Sequence, residues 1–255
     1  MVALRTAFSA AMLLVLRPPR RGSVPTGAWR LAILLGLVMA GMNTLFYLSL
    51  SRIPLGVAVT LEFSGPLLVA VAGSRRLRDA FWVLLAAAGI YLLAGARLTA
   101  DDALGVAAAL GAGACWALFI VVGGRLAHAW PDGRGLTVSM LTASVVVVPL
   151  ALIAGAAASL IADPSALLGG LVVAVLSSAL PYTLEMAALR HLATSTYGVL
   201  MSIEPAVAAA VGFVLLGQAL GAADLAGIVL VCSASAGASW TARRLAVAPG
   251  ELEAG

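Results

Sequence analysis

Lysine is absent from this chain: its 15 basic residues are all arginine, and Asp, Glu and Arg together make up only 10% of its 255 residues. So little charge cannot keep a globular surface in water. There are two cysteines, Cys115 and Cys232, each inside an apolar stretch. They stand far from any metal-ligand spacing and make no disulfide framework. The two histidines, His128 and His191, have no carboxylate or cysteine at a useful spacing. Zinc chemistry and a Ser-His-acid triad are therefore not expected.

Other absences narrow the field further. No Gly-Lys-Ser/Thr phosphate loop occurs, so ATP hydrolysis by this chain is not expected, and the sequence asks for no cofactor and no metal. The arginine clusters lack interleaved aromatics, which argues against a nucleic-acid partner. Arg20-Arg21 follows an apolar run instead of preceding one, so it is no twin-arginine export signal. The opening "MVALRTAFSAAMLLVLRPPRR" has neither a basic region ahead of its apolar core nor a small-residue cleavage site behind it, which disfavours a signal peptide.

What the chain has in excess is apolar length: 62% hydrophobic residues and a mean hydropathy of +1.09. A bilayer core takes roughly 20 apolar residues per helix. On that measure nine spans fit, near 2–17, 29–51, 54–73, 79–97, 104–127, 136–156, 166–190, 195–216 and 222–242. The result is an all-α polytopic membrane protein whose principal partner is the lipid bilayer; a homodimer is compatible with it. Abundant Gly and Ala suit helices packed backbone-close.

Arginine placement assigns sides, because cytoplasmic loops collect positive charge. Alternate loops hold Arg17, Arg20, Arg21, Arg30, Arg75, Arg76, Arg78, Arg125, Arg134, Arg190, Arg243 and Arg244, whereas the opposite set holds Arg52 and Arg97. Arg5 is left over near the N-terminus. The C-terminus, with a short polar tail over 244–255, is expected in the cytoplasm.

The chain also repeats itself. "NTLFYLSLSRIPLGVAVTLEFSGPLLVAVAG" matches "YTLEMAALRHLATSTYGVLMSIEPAVAAAVG", pairing Arg52 with Arg190 and Pro66 with Pro205, with one residue inserted between. A Gly-bearing apolar span follows each, with Gly89 in one half and Gly227 in the other. The second repeat, 104–243, has five spans; the first, 1–98, has four. Units with an odd number of spans insert in opposite orientations, the inverted-repeat construction of many secondary transporters. By this arithmetic a span corresponding to 104–127 is expected ahead of Val2.

Four stretches carry a resemblance: "GMNTLFYLSLSRIPLGVAVTLEFSGPL" (41–67), "LGAGACWALFIVVGGR" (110–125), "SSALPYTLEMAALRHL" (177–192) and "YGVLMSIEPAVAAAVGFVLLG" (197–217). In order and over about residues 2–240, the chain resembles the EamA-type drug/metabolite transporters, and among them the bacterial exporters of threonine and homoserine. The resemblance implies ten helices in two inverted five-helix repeats, a bacterial inner-membrane location, and proton-driven export of small metabolites. It departs from the family at Gln218, where Glu is frequent, and in lacking the first helix, which helps line the family's central cavity.

Residues fit to handle a small polar, amino-acid-like solute are few. Glu62, Glu185 and Glu204 are the acids inside spans, where an ionised carboxylate costs roughly 2.5–3.5 kcal/mol on insertion scales. Each either binds a substrate ammonium or carries a proton, or is a structural carboxyl tied to a neighbouring helix. Pro66 and Pro205 sit mid-span in matching positions and are expected to kink their helices, freeing the carbonyls of Glu62 and Met201; a kink serving only packing is the other reading. Asn43, Tyr47, Ser177, Ser178, Tyr182, Thr183 and Ser202 supply amide and hydroxyl groups that either orient solute or join helices. Trp116 lies mid-span, lining a cavity or filling the core.

The expected function is secondary export by alternating access. A non-transporting or truncated membrane subunit is the alternative, with an intramembrane enzyme behind it because its acids would have to be paired near a headgroup. This chain is not read as an enzyme.

Overall fold

The computed structural model describes residues 2–19, 26–72, 77–95, 100–153, 155, 165–192, 197, 201 and 203–247. All regular structure among them is helical: α1 (Val2–Leu16), α2 (Thr26–Leu50), α3 (Leu55–Glu62), α4 (Ser64–Ala72), α5 (Leu77–Gly95), α6 (Ala100–Ala129), α7 (Arg134–Ile153), α8 (Ser165–Ala174), a π-helical turn (Val175–Ala179), α9 (Leu180–His191), α10 (Glu204–Leu216) and α11 (Ala222–Val247). Among the described residues four helical stretches are long and apolar enough to cross a membrane: Thr26–Leu50, Asp102–Ala129, Arg134–Ile153 and Leu168–His191. Shorter apolar helices make up the rest. Large apolar side chains such as Ile33, Leu37, Phe213 and Val214 face outward, which suits lipid as the surrounding solvent.

Two compact units form, one from residues 1–44 and 118–191, the other from 45–117 and 192–255. Each draws on both sequence halves, and α2 and α6 run through both units.

In the first unit α1 packs along α7 and α8. Hydroxyls tie these helices to one another's carbonyls: Ser9 Oγ donates to Ala174 O at 2.9 Å, Thr137 Oγ1 to Arg17 O at 2.9 Å, and Ser139 Oγ to Ala32 O at 2.8 Å. In hydrocarbon such bonds hold helices together where burial of apolar surface cannot. Pro181 explains the π-turn. It has no N–H for the carbonyl of Ser177 and its ring crowds that oxygen, so the ladder widens just upstream, and Leu180 N–H reaches back to Val175 O.

In the second unit α5 packs on α11 and α3 on α10. Small residues set both contacts. A methyl added at Gly56 would lie 2.7 Å from Ala209 Cα. The long apolar run 55–72 breaks at Phe63, as Pro66 requires: Leu67 N–H reaches Phe63 O only at 3.4 Å, against 2.9 Å for the bond from Phe63 N–H to Val59 O. Gly217, at φ +62° in the left-handed region, ends α10, and Gln218 N–H bonds to Gly212 O, a Schellman-type stop. Asp224 in the first turn of α11 accepts from Gly221 N–H at 3.1 Å, half of a capping box.

Candidate functional site

The first unit contains a polar cluster drawn from α1, α2, the π-turn and α9, buried except at Ser177. Asn43 is the only asparagine in the chain and only 7% exposed. Its Nδ2 donates to Met39 O at 2.7 Å and to Tyr182 OH at 3.1 Å. Its Oδ1 accepts from the guanidinium of Arg5 through Nη2. The same guanidinium donates through Nη1 to Ser177 Oγ at 3.3 Å, and Ser177 donates onward to Val173 O at 2.7 Å. Tyr182, 7% exposed, has its ring 5.7 Å from that of Phe119 on α6. The π-turn that Pro181 imposes sets where Ser177 points, and such turns recur at functional sites.

Of the residues singled out from sequence, Asn43, Tyr182 and Ser177 are therefore brought together. Ser178 is buried beside them in the π-turn, and Thr183 bonds its own helix at Ala179 O, 2.6 Å away. Arg5 was missed. Its signal in the sequence is a lone arginine four positions into a largely apolar span. It is 9% exposed.

Toward the end of α9 the same unit holds a cavity of about 240 Å³, lined by Arg17, Trp130, Thr183, Met186, Arg190 and His191, among others. Arg190 Nη1 donates to Pro131 O at 2.7 Å. The volume falls below the roughly 300–1,000 Å³ of sites for drug-sized ligands, and fits a small solute. Glu185, half-buried, is on α9 between Tyr182 and Arg190.

The second unit holds Glu62, Pro66 and Trp116. Glu62 is 8% exposed and closes α3 at the break. Its backbone carbonyl is set against α6, since a methyl on Gly113 would come within 2.6 Å of that oxygen and 2.8 Å of Ser64 Oγ. In return, Gly65 abuts Gly113 O. The carbonyl freed by Pro66 is thus covered by the Cα of a glycine, and only glycine allows that approach. Trp116, buried one turn further along α6, stacks edge-on against Phe63 with ring centroids 5.5 Å apart. Tyr47 is half-buried and edge-on to Phe46.

Pro205 is buried in the first turn of α10, not mid-span as expected, and Glu204 opens that helix as an exposed residue. A proline costs a helix nothing there, because its missing N–H would be unpaired anyway. Ser202 lies outside the described residues. Gln218 caps the start of α3, where its Oε1 accepts from Leu55 N–H at 3.0 Å.

Residues 103–240 match the EamA-like transporter family. The chain is 43% identical over 244 residues to the threonine/homoserine exporter RhtA of Salmonella typhimurium (strain LT2), covering 95% of this chain and 82% of that one. The protein of the same name in Escherichia coli K12 is 42% identical over 245 residues, with the same coverage. The uncharacterized transporter YwfM of Bacillus subtilis is 26% identical over 233 residues, covering 87% of this chain and 77% of the relative. A crystal structure of a protein with 20% identity superposes with a TM-score of 0.62 over 95% of this chain and 87% of its own, a likeness of fold alone. The chain belongs to the EamA-like transporter family.

Proposed function

We propose that the protein exports small polar metabolites, amino acids of the threonine and homoserine kind, from the cytoplasm across the bacterial inner membrane. The observation that carries this reading is the 42–43% identity to threonine/homoserine exporters over 95% of the chain. A buried cation, amide and phenol in a mostly apolar helical protein support it, because polar groups at membrane depth are costly and tend to serve a solute.

In this reading nine helices cross the membrane as two inverted repeats, four helices in 1–98 and five in 104–243, with the C-terminus in the cytoplasm. Solute meets Asn43 and Tyr182, with Ser177 beside them. Glu62, Glu204 and Glu185 bind its ammonium or carry the coupled proton. Tyr47, Trp116 and Ser202 are further candidates for substrate contact. Pro66 and Pro205 let α4 and α10 begin at matching points of the two repeats, as the broken helices of secondary transporters do. One repeat rocks against the other to alternate access. The cavity among Arg17, Arg190 and His191 lies on the arginine-rich side and is the cytoplasmic approach.

Reconstitution into vesicles tests this. Labelled L-threonine or L-homoserine should leave the vesicles faster than from protein-free controls, and an imposed pH gradient should accelerate it. Loss of neither solute above the control would remove the proposal and favour a non-transporting subunit or an enzyme.

A further inference from the structure

Building on the exporter reading, we infer that Arg5 is the receptor for the substrate's carboxylate, held ready by Asn43, Ser177 and Tyr182. A guanidinium is a planar fork whose paired N–H groups match the two oxygens of a carboxylate. Here its two terminal nitrogens are turned to Asn43 Oδ1 and Ser177 Oγ. Those two oxygens are neutral and occupy the positions a carboxylate would take. A carboxylate exchanging with them adds its opposite charge and can take both N–H groups at once, the bidentate pairing that makes arginine–carboxylate contacts strong and specific.

The support around this fork is built. Asn43 is pinned by Met39 O and Tyr182 OH, so its amide cannot swing freely. Tyr182 is braced by Phe119. Three of the four side chains are buried and Ser177 is exposed, which gives a ligand one side of approach. Both sequence halves contribute, Arg5 and Asn43 from the first, Ser177 and Tyr182 from the second. A ligand bound here is gripped by helices from both halves, as a solute must be if its binding is to couple their motion.

The test uses the full-length protein purified in detergent, with binding of L-threonine and L-threoninamide read as the concentration giving half the maximal shift in melting temperature. The amide keeps the amine, hydroxyl and shape and loses the anionic carboxylate. Wild type should prefer the acid on the order of 100-fold or more, as a site built around a group rejects its absence. Arg5→Gln should lose most of that preference, and Arg5→Lys should keep part of it, being charged without the fork. Asn43→Asp sets an internal carboxylate on Arg5 and should abolish threonine binding in a protein that still melts cooperatively, which guards against a variant that merely fails to fold. Binding of acid and amide alike by wild type, or an unchanged preference in Arg5→Gln and Asn43→Asp, would overturn the inference and leave the exporter reading intact. Binding of neither compound by wild type would overturn both.

Discussion

Gly89 of α5 and Gly227 of α11 lie against each other: a methyl on Gly89 would come within 2.9 Å of the Gly227 carbonyl oxygen and 2.8 Å of Val231. We expect Gly89→Leu to force α5 from α11 at a cost of about 1–3 kcal/mol, the usual range for overpacking. Melting in detergent checks this, at roughly 2–4 °C per kcal/mol for a chain of this size. Unchanged melting would mean that the two helices are not held at this contact.

Straightening the α3–α4 break is expected to separate stability from turnover. Pro66→Ala restores an N–H to a run whose interior proline can cost about 3 kcal/mol, so the melting temperature should rise. If the break is a hinge, a bias of only about 1.4 kcal/mol against its bent form slows transport about tenfold. A variant that is more stable and equally fast would reduce Pro66 to a packing device.

Glu62 and Glu204 can be examined in living cells. Glu62→Gln and Glu204→Gln preserve side-chain size and remove the ionisable group. Each is expected to abolish protection against toxic threonine analogues, down to the level of cells without the gene, at unchanged membrane abundance. Full protection in both variants would exclude these carboxylates from the mechanism.

Gln218 offers a contrasting case. It caps α3 and is not among the residues proposed to meet solute, so Gln218→Ala should lower stability by about 0.5–1.5 kcal/mol, the worth of one hydrogen bond. Threonine efflux per folded molecule should stay the same. A selective loss of efflux would bring this position into the mechanism.

The sequence by itself determined the class of molecule and most of its helices. Apolar run length is set by the thickness of a bilayer, so α2, α6 and α7 lie close to their expected spans, and Pro66 announced the break at Phe63. The candidate site was only half legible, because Arg5 and Ser177, which bond to each other, lie 172 positions apart and hydropathy says nothing of which helix faces meet. Arg5 illustrates the gap. In the sequence it is a charge near an end; in the fold it is buried between an amide and a hydroxyl from other helices. Likewise the sequence left open whether the carbonyl that Pro66 frees meets solute or packing, and Gly113, whose lack of a side chain is meaningful only opposite Glu62, covers it. Local chemistry decides where a helix forms and breaks, whereas the partner a buried polar group finds depends on packing between distant segments, which only the tertiary structure supplies.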